Sequence, residues 1–296
     1  MKKEKWKGHL LALFCAVIWG TTFVASKRLL AWYSPVQLMF LRFVAAYAVL
    51  WIAYPRWERP VWREELSYLL MGITGCTLYF WTENTALTLT YTANVSTIVA
   101  LAPLLTAILA HLVTRGRERL DKWVWIGFAA AFLGVVFVVF NGAFVWKLSP
   151  AGDLLALVTA LLWAVYCIQQ SYALARRSAL FITRKVMFYG IVTSLPLMLC
   201  GGLNGITLAP LLTSGVNLFC FLFLAVLGNA VCYFAWAAAE RRLGAVVTSS
   251  YVYTIPFVTL AAGAVFLREP ISPAGVLGAA LIVAGVWISS RKEAAS

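Results

Sequence analysis

Apolar stretches too long for an ordinary soluble core, separated by short clusters of charge, set the pattern of this chain. Residues 84–114, 123–146, 154–175, 186–239, 243–267 and 270–290 contain no Asp, Glu, Lys or Arg. A helix needs about 20 predominantly apolar residues to cross about 30 Å of hydrocarbon. Each run fits one such span, and 186–239 fits two. Together with the apolar segments of the first 90 residues, the pattern predicts helices at 9–27, 35–54, 66–87, 92–113, 123–141, 152–174, 184–201, 216–239, 245–267 and 273–290. The expected fold class is an all-α integral membrane protein of ten transmembrane helices.

Composition agrees with that reading. Of 296 residues, 62% are hydrophobic and 12% charged, at a mean hydropathy of +0.86. A soluble domain carries about a quarter charged residues, so this chain could not cover a water-exposed surface. The net charge of +13 raises nucleic acid as a partner, but its distribution argues against it. Nineteen basic residues fall at alternate connections: Lys2, Lys3, Lys5, Lys7, Arg56, Arg59, Arg63, Arg115, Arg117, Arg119, Lys122, Arg176, Arg177, Arg184, Lys185, Arg241, Arg242, Arg291 and Lys292. The opposite connections hold four, Lys27, Arg28, Lys147 and Arg268. That asymmetry follows the positive-inside rule and predicts both termini in the cytoplasm. No single basic patch of the kind that binds nucleic acid is formed. The lysine-rich start and Val24-Ala25-Ser26 imitate a secretory leader, yet the first apolar run has a counterpart in mid-chain, which favours a retained helix.

That counterpart belongs to an internal repeat. Residues 10–20 and 154–164 are identical at six of eleven positions, Trp19 matching Trp163. Ser96 and Pro103 correspond to Ser249 and Pro256 at the same spacing, and Gly127 and Gly134 to Gly278 and Gly285. The matches keep their order, dividing the chain into 1–146 and 147–296. Five crossings per half is an odd number, so the second half enters from the opposite side and the repeats are inverted. In inverted-repeat carriers the solute site lies near the midplane between the halves.

These segments also resemble a known family. Ala86-Leu87, Tyr91-Thr92-Ala93-Asn94 and Pro103-Leu104-Leu105-Thr106-Ala107 are similar to the third-to-fourth-helix region of the EamA-type transporters of the drug/metabolite transporter superfamily. Gly244-Ala245, Ser249-Ser250, Pro256, Leu267-Arg268-Glu269-Pro270 and 278–286 resemble its second-half counterpart, and 18–23 its first helix. Ala164 departs from the pattern by replacing the glycine after tryptophan. The resemblance covers the whole chain and implies ten helices, cytoplasmic termini, a central cavity, and export or exchange of metabolites, amino acids or drugs.

Candidate site residues are the polar and aromatic ones inside predicted helices. Arg42 lies about 10 Å deep on the second helix and Glu83 about 6–8 Å deep on the third, at 1.5 Å per residue. Intramembrane charges are costly and mark cavities, partners or proton paths. A salt bridge between the two is one reading; a solute- or proton-binding role for Glu83 is the other. Tyr79 shares a helix face with Glu83, and Asn84 is adjacent. Asn229, Tyr233 and Trp236 share another face. Asn94, Ser96, Ser249 and Tyr253 on the fourth and ninth helices, with Trp19 and Trp163, complete an expected aromatic, hydrogen-bonding site for a small solute. Pro103 and Pro256 each remove a backbone hydrogen bond in matching helices and are candidate hinges. Other ionisable groups read as structural, with Asp153 capping a helix and Glu240 pairing with Arg241 or Arg242 at the membrane interface.

The chain lacks a Walker loop, an HExxH pair and a GxSxG elbow, so neither a catalytic constellation nor an ATP-driven pump is expected. Its six cysteines have no metal or redox spacing. No metal or cofactor is implied; the expected partners are a small-molecule solute, the lipid bilayer and protons as a coupling ion. The alternatives to a carrier are a channel or sensor and, ranked below these, a membrane enzyme.

Overall fold

The computed structural model describes residues 2–56, 59–113, 122–140, 149–268 and 273–290. Arg115, Arg117, Arg119, Lys147, Glu269, Pro270, Arg291 and Lys292 lie outside the described residues. Among the described residues each predicted stretch is helical over most of its length, and there is no strand. The helices are α1 (Lys2–Leu29), α2 (Pro35–Ala53), α3 (62–89), α4 (Thr92–Val113), α5 (Lys122–Phe140), α6 (Pro150–Leu174), α7 (Ala179–Gly202), α8 (Gly215–Leu243), α9 (Ala245–Leu267) and α10 (Pro273–Ser290). A single helical turn, Ala209–Leu212, precedes α8. Among the described residues seven helices, α1, α2, α4 and α6–α9, are long and apolar enough to cross a membrane.

Burial differs from that of a soluble protein in its apolar exterior. Ala12, Ala16, Ala156, Ala160, Ala164, Ala237 and Ala239 are buried, while Leu10, Leu13, Val17, Phe132, Leu154, Leu161 and Phe219 face outward. Water would not tolerate that exterior; hydrocarbon does. Small residues let helix backbones approach closely, the packing rule of membrane bundles. A Cβ on Gly20 would come within 2.5 Å of Val258, so α1 and α9 touch at the glycine itself. Gly285 of α10 similarly sits against the Gly127 carbonyl of α5, where an added Cβ would lie 2.5 Å away. Hydroxyl pairs join helices: Thr82 to Thr159 at 2.7 Å (α3–α6), and Thr77 to Thr193 at 2.6 Å (α3–α7).

Local chemistry fixes the helix ends and breaks. Ser34 and Gln37 form a reciprocal capping box ahead of Pro35, and the Gln37 amide reaches the Gly202 and Asn204 carbonyls. Ser149, not Asp153, caps α6; its hydroxyl accepts from the Gly152 amide, while Asp153 sits in the first turn. The expected role for Asp153 is thus filled by a residue that reaches the free amide directly. α4 is broken at Ala100–Leu101, between Thr92–Val99 and Ala102–Val113, just ahead of Pro103. α9 narrows to a 3₁₀ turn at Tyr251–Thr254, just ahead of Pro256. Two matching helices therefore break beside matching prolines.

Two more irregularities lie on the other matched pair. α3 contains a π-helical turn at Ile73–Thr77 and α8 a longer one at Phe223–Val231. A π turn widens the helix and frees main-chain groups from the regular ladder, which is why it recurs at functional positions.

Candidate functional site

Trp19 and Thr22 of α1, Arg42 of α2, Tyr79 and Glu83 of α3, Trp163 of α6 and Tyr233 of α8 come together around one central cavity. Phe23, Phe80, Val99, Val252 and Ile255 complete its wall. The cavity measures about 30 Å³, room for a water or two. Aromatic rings form most of the enclosure. Trp19 meets Trp163 edge-on at 5.2 Å, Tyr79 packs on Trp163 at 5.2 Å, and Trp163 meets Tyr233 at 5.9 Å. Trp236 stands behind Trp19 at 4.9 Å.

The π turns of α3 and α8 supply acceptors to this cage. The Trp19 indole donates to the Gly228 carbonyl at 2.9 Å, and the Tyr233 hydroxyl donates to the Gly75 carbonyl at 2.6 Å. Gly75 admits no side chain, since a Cβ there would lie 2.2 Å from the Tyr166 ring. Sequence periodicity does not show these contacts because a π turn leaves no compositional mark. The available clue was a mid-helix glycine a few residues ahead of a Tyr-Phe pair in each half: Gly75 before Tyr79-Phe80 and Gly228 before Tyr233-Phe234.

The two intramembrane charges share the cavity without pairing. Arg42 is buried, donates to Asn229 Oδ1 at 2.7 Å and to Ser26 Oγ at 3.3 Å, and places its guanidinium 4.5 Å from the centre of the Phe80 ring. Glu83 is buried and accepts from the Tyr79 hydroxyl at 3.2 Å. Among the described residues no ion pair joins them. In place of the expected salt bridge a neutral acceptor, Asn229, takes one guanidinium nitrogen, Arg42 Nε is left without a hydrogen-bond partner among the described residues, and the carboxylate faces the cavity.

Other expected site residues lie elsewhere. Asn84 points away from the cavity, its amide donating to the Pro35 carbonyl at 3.3 Å, and so ties α3 to the start of α2. Asn94, in the first turn of α4, donates to Thr90 Oγ1 at the end of α3 at 3.2 Å. Tyr253 projects from the 3₁₀ turn toward Phe128 of α5, 6.2 Å ring to ring, because that turn rotates it off the inner face. Asn229 serves the cavity indirectly by holding Arg42. Pro103 and Pro256 are buried, and the breaks beside them border the site: Val99 immediately precedes one, and Val252 lies within the other with Ile255 directly after it. His9, given no partner by the sequence, meets the Tyr251 hydroxyl at 2.7 Å and links α1 to the same turn.

Glu240 also departs from expectation. It is buried, and neither carboxylate oxygen has a hydrogen-bond partner among the described residues. Arg242 turns outward to Glu4 at 3.3 Å instead. The helix rotates the two side chains to different faces, so adjacency in sequence did not make a pair.

Comparison with known proteins adds identity to this geometry. The family model of EamA-like transporters matches residues 6–140 and again 150–291. An uncharacterised transporter of Archaeoglobus fulgidus is 26% identical, over 97% of this chain and 98% of its own. A probable terminal-alkyne amino-acid exporter of Streptantibioticus cattleyicolor is 28% identical, over 93% of this chain and 91% of its own. One solved crystal structure superposes with a TM-score of 0.74 at 20% identity, covering 96% of this chain and 97% of that one; at that identity the likeness concerns the fold alone.

Proposed function

Since the chain belongs to the EamA-like transporter family, we propose that this membrane transporter exports or exchanges a small amino acid or amino-acid-derived metabolite by alternating access through the central cavity. The observation that carries the reading is the cavity itself. A cation and a carboxylate face the same aromatic chamber with no direct ion pair between them. That arrangement complements a solute carrying both charges, its carboxylate toward Arg42 and its ammonium toward Glu83, with the rings taking an apolar side chain. The Streptantibioticus relative, described as a probable amino-acid exporter, supports the same class.

A pocket for a small ligand is usually at least about 300 Å³, so a cavity of about 30 Å³ represents a closed conformation. Opening is assigned to the broken helices. α4 and α9 each lose regular hydrogen bonding at the cavity wall, and each break can bend at little cost because the ladder is already open there. Ten crossings, with α3, α5 and α10 added to the seven long apolar helices, and inverted halves 1–146 and 147–296 complete the proposal. The basic flanks orient both termini toward the cytoplasm. The chain moves its solute without transforming it, and protons exchange at Glu83 during the cycle.

The test is counterflow in proteoliposomes containing the full chain, screened across amino acids and their derivatives. Saturable uptake of labelled solute, accelerated by unlabelled solute inside, is expected. Flux that is linear in concentration and blind to the opposite pool would favour a channel.

A further inference from the structure

A second cavity, of about 210 Å³, opens between α2, α3 and α7 at the end of the bundle that carries the basic flanks. Its walls are Tyr47 and Trp51 of α2, Glu65 of α3 and Phe188 and Tyr189 of α7, with Pro60, Arg184 and Lys185 beside them. Sequence reasoning made Arg184 and Lys185 solvated flanking charges. Lys185 is instead paired with Glu65 at 2.6 Å, and the other Glu65 oxygen accepts from the Tyr189 hydroxyl at 2.6 Å, so that carboxylate is fully engaged. Arg184 is buried, and among the described residues no carboxylate pairs with it. Its Nη1 donates to the Tyr54 carbonyl, and its guanidinium lies 4.9 Å from the Trp51 ring and 5.1 Å from the Tyr54 ring.

A buried cation without an anion is an incomplete arrangement, since burying a charge is costly unless a partner offsets it. Ring faces and one carbonyl recover part of that cost. The remaining guanidinium donors match the planar, forked acceptor geometry of a phosphate. Phe188 lines the cavity, and Val192, one turn away on α7, and Val44, three residues from Tyr47 on α2, are exposed with it, an apolar track suited to an acyl chain. Charge and track together describe one molecule.

We infer that this cavity binds an anionic phospholipid, its phosphate at Arg184 and its acyl chain along the outer faces of α2 and α7. Basic pockets between membrane helices on the cytoplasmic side are known to take such headgroups. The inference rests on the membrane-spanning reading but not on any particular transported solute.

The experiment is thermal unfolding of the full chain in detergent micelles titrated with phosphatidylglycerol, phosphatidylcholine or inorganic phosphate. Phosphatidylglycerol is expected to bind about fivefold more tightly than phosphatidylcholine, the equivalent of ~1 kcal/mol for one basic residue at an anionic surface. Arg184→Gln should bring that ratio to about one. Phe188→Glu keeps Arg184 and supplies an internal carboxylate at the cavity rim; it should abolish the preference even if Arg184→Gln does not fold. Arg177→Gln, at a residue bonded to Glu64 outside the cavity, should retain it. Equal binding of the two lipids, or a preference that survives Phe188→Glu, would overturn the inference. So would inorganic phosphate reproducing the whole stabilisation, which would make the site one for a soluble anion. Failure of the membrane reading itself would be distinguishable, because the protein would then stay dispersed without detergent before any lipid was added.

Discussion

Removing the acceptor that holds Arg42 should cost more than removing Arg42 itself. Asn229→Ala keeps a buried guanidinium and deletes its shortest hydrogen bond, 2.7 Å to Oδ1. Hydrogen bonds to charged groups are worth about 1.5–3 kcal/mol, and the stranded cation keeps only the 3.3 Å contact to Ser26 and the Phe80 ring. Arg42→Gln loses the same bond and a cation–π contact of about 2 kcal/mol when desolvated. It also releases the desolvation penalty of the guanidinium, several kcal/mol by itself. Its net cost is therefore expected below that of Asn229→Ala, and the double variant should be less destabilised than the two single effects summed. Cys15, Cys76, Cys167 and Cys232 are buried, so reaction with a thiol-specific dye during denaturant unfolding in mixed micelles reports the loss of packing. An interaction energy of about 1.5 kcal/mol or more between positions 42 and 229 is expected, above the ~0.5 kcal/mol scatter of independent sites. The same cycle between positions 42 and 83 should be smaller, because no ion pair joins those residues. Additivity at 42 and 229, with strong coupling at 42 and 83, would refute this account of how the arginine is held.

Further expectations concern the backbone and the topology. Pro103→Ala and Pro256→Ala should each slow counterflow severalfold at near-normal expression, by letting α4 and α9 regain continuous hydrogen bonding; unchanged turnover in both would reduce the prolines to packing residues. Gly75→Ala places a methyl 2.2 Å from the Tyr166 ring, and overpacking of this kind costs about 1–3 kcal/mol; a wild-type unfolding midpoint would contradict the close approach of α3 and α6. In a Cys200→Ser background, cysteines at Arg176 and Arg241 should react only from the cytoplasm and one at Thr213 only from outside. Any reversal would overturn the assigned orientation.

The helices were legible because hydrocarbon imposes one rule on every residue in contact with it, and charge-free runs record that rule directly. Trp19, Tyr79, Glu83, Trp163 and Tyr233 were also legible, since polar and aromatic side chains on a membrane helix are driven inward. The register of that inward face was not. π turns at Ile73–Thr77 and Phe223–Val231 and a 3₁₀ turn at Tyr251–Thr254 each shift the helical phase. Tyr253 consequently meets α5, although regular 3.6-residue geometry places it on the cavity. Partner choice was equally hidden. Depth alone suggested Glu83 for Arg42, yet Asn229, 187 residues away in sequence, takes that place. Arg184 read as a flank because its neighbours are basic, and only packing shows it turned into the protein.

The most direct test of the central claim is solute counterflow by Glu83→Gln in proteoliposomes, at protein content and thermal stability matched to the native chain. The substitution keeps the shape of the side chain and removes its charge and its titration at the central cavity, to which α1, α2, α3, α6 and α8 all contribute. A folded protein whose half-saturation or turnover changes at least about tenfold, the effect of ~1.4 kcal/mol, and whose flux loses its dependence on pH, is the predicted result. Native kinetics and an unaltered pH profile in a fully folded Glu83→Gln protein would contradict the claim that the solute passes this carboxylate.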